Sequence, residues 1–381
     1  MSKQGISVRF LVFCLCLLSF NAFAVNVSDL YRVSVAVDGQ GDASRQQGVQ
    51  RAFQQLLIKV SGSQDVLTNP TLIEASQNAE RYMQGFSYQQ DGFDEQIYLQ
   101  AWFSKALVVP LIKRAQAPIW GENRPLLLNW LAIEPTENMD IGRFDVVDLI
   151  RATQGDEADT AETASKEQGQ SIIRGERELV SGQHLKLQKR FERAFSERGL
   201  PLLWPMADLE DQTNLPFNQL WWMSTDAIKK ASQRYQADAV LAGKLSQTSA
   251  GVWLYEGILL QGQEKKNILT EADTPMGALT LATGEVGQYF SDQFAIKSDP
   301  MNGRSGIRVL VKKIHSFSDY SQVLAYFKSI TGVRIVEVAQ VDRDNLELYL
   351  SLEGSWDKVQ RIISLDNKLS VLQEKEFEWT P

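Results

Sequence analysis

The sequence has 381 residues, a formal net charge of −8, and only two cysteines and two histidines. An acidic chain without a basic run is a poor ligand for nucleic acid or for anionic lipid head groups, so we predict no nucleic-acid partner. Both cysteines, Cys14 and Cys16, lie within the first apolar run. The rest of the chain can therefore form neither a disulfide nor a thiolate metal site.

The amino terminus has the three parts of a secretory signal peptide. Lys3 and Arg9 precede an apolar run from Phe10 to Phe20, and a small-x-small pattern ends at Ala24. This pattern predicts a signal peptide over residues 1–24, cleaved before Val25, and a periplasmic protein of a Gram-negative cell. The run is shorter than the roughly 20 residues that span a bilayer, so we expect no stable transmembrane anchor after cleavage. A retained helix is the alternative.

A first α/β module is predicted over residues 25–117. The alternating, β-branched segment Tyr31–Val37 favours a strand, and Gln96–Phe103 favours another. Between them, apolar residues at helical spacing predict a helix that ends at Ser61-Gly62-Ser63. Thr71–Met83 is predicted to form a second helix. The stripe of the first helix consists of Val49, Ala52, Phe53, Leu56, Leu57 and Val60.

A central α/β module is predicted over residues 124–297. Leu126–Ile133 is almost continuously apolar, which is typical of a strand buried on both faces. A polar, acidic stretch over about residues 136–178 is predicted to be a flexible insertion, because its core lacks large apolar residues. The remaining predicted elements are a helix carrying Leu187, Phe191 and Phe195, a strand at Leu200–Trp204, a helix at Leu220–Tyr235, a hairpin of Ala237–Leu245 with Gly251–Gln261, and a helix carrying Leu279 to Phe294.

A third module, over residues 305–375, has the predicted order βαββαβ, which is the ferredoxin-like plan. Its strands are expected at Ile307–Val311, Val333–Val338, Leu346–Leu352 and Leu369–Leu372. The whole chain is therefore predicted to be of the α+β or α/β class, with three α/β-type modules in series.

Several phrases resemble one family. They are LIKVSGSQDVLTNP, AERYMQGFSYQ, APIWGENRPLLLNWLAIE, RGLPLLWPMADLED and RYQADAVLAGKLSQ. Together they resemble the domain of unknown function numbered twenty sixty-six, found in exported γ-proteobacterial proteins. That family is uncharacterised, so the resemblance implies no activity and no catalytic residues. The segment Ala237–Leu245, with Arg-Tyr-x-Ala before it, also resembles the amino-terminal domain of TolB and CsgG-type envelope proteins. Such a likeness would imply a docking module, although fold alone does not assign function.

Three carboxylates, Asp208, Glu210 and Asp211, follow the strand that ends at Trp204. Open α/β sheets often bind ligands beyond strand ends, and paired carboxylates can hydrolyse glycosidic bonds. A periplasmic glycan hydrolase using Asp208 or Glu210 is therefore one hypothesis. The alternative is that Asp208 begins a solvent-exposed loop and caps a turn.

His184 and His315 have no second histidine or cysteine at ligand spacing, and zinc sites usually need three or four ligands. We therefore expect both imidazoles to be exposed and predict no metal ion or other cofactor.

Tryptophans are the stronger signal for binding, because they bury a large area and keep one polar atom. Trp120, Trp204, Trp221 and Trp222 fall in or near the central module. On a helix, adjacent rings would point about 100° apart, so one of Trp221 and Trp222 can face the core and the other the surface. The alternative is that both are buried under neighbouring loops.

The sequence thus favours a non-enzymatic binding or scaffolding protein whose partner is an envelope protein or a cell-wall component. Aromatic patches would make the contact, with Asp208, Glu210 and Asp211 at the rim. A carrier of an apolar ligand is a further alternative to the glycan hydrolase.

Overall fold

The computed structural model of the chain describes residues 29–90, 96–136, 177–297 and 306–380. Within these ranges it contains ten α-helices and three β-sheets, a mixed α+β architecture consistent with α/β modules in series. The predicted signal peptide, with its cleavage site between Ala24 and Val25, lies outside the described residues, as does all but the ends of the predicted acidic insertion. None of the described helices is both long enough and apolar enough to cross a bilayer.

The first sheet has three antiparallel strands in the order β1-β3-β2, and a long helix covers one of its faces. All six apolar residues predicted on the first helix are buried there, which confirms the helical stripe. That helix ends at Gly62, whose φ of 78° lies in the left-handed region. The elements are β1 (Arg32–Val37), α1 (Asp42–Ser61), α2 (Pro70–Gln77), β2 (Met83–Gln90), β3 (Ile97–Phe103) and α3 (Lys105–Arg114).

The second helix predicted in this part of the chain is shorter than expected. It ends at Gln77, a 3₁₀ turn follows at Ala79–Tyr82, and Met83 begins the strand β2. No clear sequence pattern marks β2, because both of its faces are half-buried or exposed and its residues are largely polar.

The central sheet has the strand order β5-β4-β7-β8-β9. The short strand β6 pairs with the start of β4, on the same edge as β5 and opposite β7. All seven residues of β4 are buried, as predicted for a strand covered on both faces. Helices α4 and α8 cover one face, and the α5–α7 layer covers the other. The elements are β4 (Leu127–Ile133), β5 (Glu178–Leu179), α4 (Leu185–Glu197), β6 (Leu202–Leu203), α5 (Leu209–Asn214), α6 (Phe217–Trp221), α7 (Thr225–Ser232), β7 (Ala239–Gln247), β8 (Trp253–Gln261), β9 (Glu264–Ala272) and α8 (Pro275–Phe294).

The helix predicted over Leu220–Tyr235 is broken in two. Helix α6 ends at Trp221, and the chain turns through Met223, whose φ is 54°, before α7 begins at Thr225. A left-handed residue stops a helix, so Trp221 and Trp222 do not lie on one continuous helix.

The third sheet has the order β11-β12-β10-β14-β13, with two helices on one face. The predicted order βαββαβ is present, but an additional strand, β14, follows it. The last predicted strand, β13, pairs with β14 and not with β10, and β14 lies parallel to β10. The elements are β10 (Gly306–Lys312), α9 (Phe317–Ser329), β11 (Val333–Asp342), β12 (Asn345–Leu352), α10 (Trp356–Ser364), β13 (Leu369–Gln373) and β14 (Glu376–Trp379).

The three predicted modules share buried contacts. One apolar core runs without interruption from the α4–α8 side of the central sheet into the third sheet and its helices. Ile119 and Ile296 exchange both backbone hydrogen bonds, each 2.8 Å from nitrogen to oxygen. Trp120 donates its backbone N–H to the Val60 carbonyl at 2.7 Å, and the Ser291 hydroxyl donates to the Ser61 carbonyl at 3.1 Å. The described parts are therefore tied together by packing and by hydrogen bonds.

Candidate functional site

Trp120 is a core residue. Its side chain is completely buried, and its ring stacks on Phe294 with centroids 6.4 Å apart. On this evidence the prediction that Trp120 belongs to a binding patch is wrong, because the ring is not exposed to a partner.

The opposite face of the Trp120 ring carries the guanidinium of Arg124, 3.7 Å from the ring centroid. Arg124 is itself buried, and it donates to the carbonyl oxygens of Lys59 (2.9 Å), Trp120 (2.7 Å), Gly121 (2.6 Å) and Arg198 (3.3 Å). Burial lowers the pKa of Arg124 well below its usual value. The guanidinium joins the first module, the following linker and the residue that follows α4 in the central module, so its role is structural.

Trp221 and Trp222 have different environments. Trp221 is 6% exposed and stacks on Phe217 at 5.7 Å, whereas Trp222 is 75% exposed. Of the two alternatives that the sequence left open, the structure has the one in which one ring is buried and the other exposed, although the cause is the end of α6 and not a continuous helix. The Lys244 ammonium lies 5.4 Å from the Trp221 ring and 5.9 Å from the Trp222 ring. These distances are in the range of cation–π contacts.

Trp204 is half-buried at the end of β6 and packs against Phe191, with ring centroids 6.2 Å apart. It belongs to the periphery of the core on the α4–α8 side of the central sheet. Trp222 follows α6 on the opposite side. These two tryptophans, both predicted to contribute to aromatic binding patches, therefore lie on opposite sides of the central sheet.

Two other apolar side chains are exposed on the α5–α7 side. Met206 is 72% exposed and Leu209 is 79% exposed, and both lie at the start of α5. We call Met206, Leu209 and Trp222 the exposed apolar residues of the α5–α7 layer. Single exposed apolar residues are common on proteins, but a tryptophan left three-quarters exposed is not typical.

The carboxylates are bound to one arginine. Arg234 makes a bidentate contact with Asp208, with nitrogen-to-oxygen distances of 2.9 and 3.0 Å. The same guanidinium lies 3.1 Å from Asp211 and 3.5 Å from Glu210. The hydrogen bond from Arg234 holds the pKa of Asp208 below its usual value. Asp208 is therefore kept ionised, which does not suit the general acid of a glycosidase.

Asp211 is buried, so its predicted place at the exposed rim of a binding surface is wrong. It accepts hydrogen bonds from the Ala207 backbone N–H at 2.9 Å and from the Tyr235 hydroxyl. Burial first, and the hydrogen bond to Asp211 second, raise the pKa of Tyr235 to about 12. Asp208 caps α5 by accepting from the Asp211 N–H at 2.9 Å. The arrangement fixes the start of α5.

The two histidines also differ from each other. His184 was expected to be exposed but is only 1% exposed, and its Nδ1 accepts the Ser181 N–H at 3.2 Å. Its Nε2 lies 3.3 Å from Glu178 Oε1. The imidazole also closes a capping box with Ser181 before α4. His315 is exposed, as predicted. Among the described residues, no group of three or more histidine, cysteine or acidic side chains is placed to hold a metal ion.

A cleft of about 460 Å³ lies where the first and third modules meet the linker between the first and central modules. We call it the junction cleft. Its walls come from Leu30 and Tyr31, from α3, from residues 119 and 121–123, from Ile296 and from residues 328–334, with Glu353 and Ile362. No sequence pattern predicts this cleft, because its walls come from segments that are far apart along the chain.

Gly121 and Gly332 explain how the walls of the junction cleft approach so closely. A Cβ atom on Gly121 would lie 1.9 Å from Thr331 Oγ1, and one on Gly332 would lie 2.1 Å from Ile296 Cδ1. Gly332 also has a φ of +95°, which strains other residues.

Residues 24–121 match the family model of a domain of unknown function (DUF8605). The match agrees with the sequence-based expectation of a domain of unknown function, but it carries a different designation and covers the first module and part of the linker. The chain has no match among curated proteins or solved structures.

Proposed function

We propose that the protein is exported to the periplasm and acts as a non-enzymatic binding or scaffolding protein for another envelope component. The contact surface is the α5–α7 layer, with Trp222 as its exposed aromatic anchor. The observation that carries this proposal is the 75% exposure of Trp222 beside a buried, stacked Trp221. Tryptophan is among the residues most enriched at binding hot spots, where a rigid ring enters a pocket of the partner.

Charged groups around the tryptophan support a binding surface with a polar rim. Lys244 pairs with Glu256 at 3.0 Å while its ammonium faces both tryptophan rings. Arg234 and the exposed carboxylates Asp208 and Glu210 supply further charge on the same layer. An apolar anchor within a charged rim is the usual anatomy of a non-obligate interface.

The export half of the proposal is supported by the signal-peptide pattern of residues 1–24. Two resemblances also support it: that of several phrases to exported γ-proteobacterial proteins, and that of Ala237–Leu245 to TolB and CsgG-type domains. Within it, the partner is an envelope protein or a cell-wall component.

The preference for binding over glycan hydrolysis is supported by the state of the carboxylates. Asp208, Glu210 and Asp211 share the guanidinium of Arg234, and a retaining or inverting glycosidase needs one carboxyl group that stays protonated. Asp208 is held in the opposite state.

The test compares Trp222→Ala with Phe317→Ala in cells. Phe317 is a matched control, because it is an aromatic residue that is 81% exposed but lies on α9 of the third module. After crosslinking and affinity purification, we expect the envelope partner to be recovered with the wild type and with Phe317→Ala, and to be lost with Trp222→Ala.

Equal recovery from the two variants would overturn the assignment of the surface. The substitutions Asp208→Asn and Glu210→Gln distinguish the binding hypothesis from the glycan-hydrolase hypothesis. We expect both to leave partner recovery largely intact, because rim charges contribute less to affinity than the tryptophan anchor. Glycan release by the pure wild-type protein that these substitutions abolish would establish the hydrolase instead.

A further inference from the structure

The junction cleft combines an apolar floor with an excess of positively charged side chains, although the whole chain is acidic. Lys105, Lys113, Lys328 and Arg334 line it, against only two carboxylates, Glu122 and Glu353. The formal charge of the lining is therefore +2, whereas that of the chain is −8. A concave site of this sign attracts anions.

The ion pairs in the junction cleft indicate where an anion would bind. Lys105 is 2.8 Å from Glu122, and Lys113 is 2.7 Å from Glu353, so each carboxylate already has a cationic partner. A cationic ligand would have to displace one of these lysines. Lys328 is exposed, and its ammonium makes no hydrogen bond or ion pair with any residue in the described ranges. An anion can therefore take Lys328 without breaking an existing pair.

The floor of the cleft suits an apolar group. Ile119, Ile296 and Ile330 line it together with the partly exposed Val109. Ligand sites of a few hundred cubic ångströms commonly have apolar walls with a small number of polar groups that fix orientation. The volume of about 460 Å³ falls in that class.

We propose that the junction cleft binds a small amphipathic anion, with a carboxylate or phosphate group at Lys328 and an apolar part on the isoleucine floor. Such a ligand contacts α3 of the first module and residues 328–334 of the third at the same time. Binding therefore ties these two modules together. This site is separate from the α5–α7 layer, so the two proposals stand or fall independently.

Calorimetric titration of the purified protein tests the proposal with decanoate, below the concentration at which it forms micelles. Lys328→Gln is expected to weaken decanoate binding about tenfold, since it removes a charge-assisted hydrogen bond. Lys230→Gln is the matched control, because Lys230 is an exposed lysine on α7, outside the cleft, and its substitution is expected to leave the affinity unchanged.

Three further probes separate the parts of the ligand. Octanoate is expected to bind more weakly than decanoate, by roughly fourfold for each CH₂ group removed from the apolar floor. Inorganic phosphate and decanol are both expected to bind more weakly than decanoate, because each lacks one half of the ligand. Bound decanoate is also expected to slow backbone hydrogen exchange at residues 105–113 and 328–334.

If phosphate binds as tightly as decanoate, the apolar floor does not contribute to affinity. If decanol binds as tightly as decanoate, the anionic group does not contribute. Either result overturns the proposal. Failure of all four probes to bind, or equal effects of Lys328→Gln and Lys230→Gln, would overturn it as well.

Discussion

Two buried cations stand close together at the contact between the first and central modules. Lys59 donates to the carbonyl oxygens of Asp29 and Arg32 at 3.3 and 3.1 Å, and the backbone carbonyl of Lys59 in turn accepts from Arg124. Burial first, and repulsion from Arg124 second, lower the pKa of Lys59 to about 8. Asp29 and Glu197 oppose this shift, and Arg32 adds to it.

The lowered pKa of Lys59 predicts a pH-dependent stability. Between pH 8 and 10.5 the folded state holds fewer protons at Lys59 than the unfolded state does, so stability rises with pH in this window. Relative to Lys59→Met, the free energy of unfolding of the wild type should increase by at most about 3 kcal/mol across the window. Urea unfolding at several pH values measures it. A difference that falls or stays flat would contradict the assignment.

Arg124 predicts a large effect from a conservative change. Arg124→Lys keeps the charge but cannot reach four carbonyl oxygens with one planar group. We expect a loss of about 3 kcal/mol in the free energy of unfolding, because several charge-assisted hydrogen bonds are lost. Arg51→Lys, at an exposed position of α1, should change stability by less than about 0.5 kcal/mol. Equal effects of the two substitutions would be inconsistent with the structural role of Arg124.

At the scale of the elements, the end of α1 controls how the first module meets α8. Gly62 is left-handed, and a Cβ there would lie 2.5 Å from Ser291 Cβ and 2.8 Å from the Trp120 ring. Position 62 therefore requires glycine for two reasons: its positive φ, and the lack of space for a Cβ atom.

Gly62→Ala is expected to destabilise the protein by about 2–4 kcal/mol, since backbone strain and overpacking add. Gly251→Ala provides the control. Its φ is +85°, but nothing lies within 4 Å of the added Cβ, so only the strain of about 1 kcal/mol remains. Denaturant unfolding of both variants gives the comparison, and a cost at Gly251 as large as that at Gly62 would refute the packing part of the argument.

At the scale of the whole molecule, the central and third modules share one core. Ile296 is 3% exposed, pairs with Ile119 in the linker and packs against the position of Gly332. It therefore contacts the first turn after α9 while it follows directly on α8 of the central module.

Ile296→Ala is expected to cost about 2–5 kcal/mol through the cavity that it leaves. Because the core is continuous, hydrogen exchange should accelerate together in β4 and in β12. Leu281→Ala, at a position 53% exposed on α8, should have little effect on either strand. Faster exchange confined to residues 306–380 would show that the third module unfolds independently.

The sequence predicts elements best where local pattern and final environment agree. The run Leu127–Ile133 is buried on both faces as its composition indicates, and the stripe of α1 is buried as its spacing indicates. β2 was missed because an exposed, polar edge strand carries little apolar pattern. His184 is buried and closes a capping box, and its neighbours in sequence predict neither feature.

The candidate sites were less predictable than the fold. The exposure of Trp222 and burial of Trp221 follow from the local end of α6, whereas burial of Trp120 depends on Phe294, which is distant in sequence. Arg234 pairs with the carboxylates at the start of α5 from the 3₁₀ turn that follows α7, and charge composition alone does not reveal that pairing. The junction cleft exists only once segments from two modules and a linker come together.

The route of the linker at Trp120 limits how this chain can be divided. A fragment ending at Ala117 would leave the Val60 carbonyl without its donor, and one ending at Gly121, where the family match stops, would still lack Arg124. The fragment ending at Gly121 would also expose the Trp120 ring that Phe294 covers and would leave Ile119 without its backbone partner Ile296. The segment that matches the family model and the segment that packs as one folded unit therefore end at different residues. Expressed alone, residues 24–121 would lack hydrogen-bond donors and would leave apolar surface exposed to water.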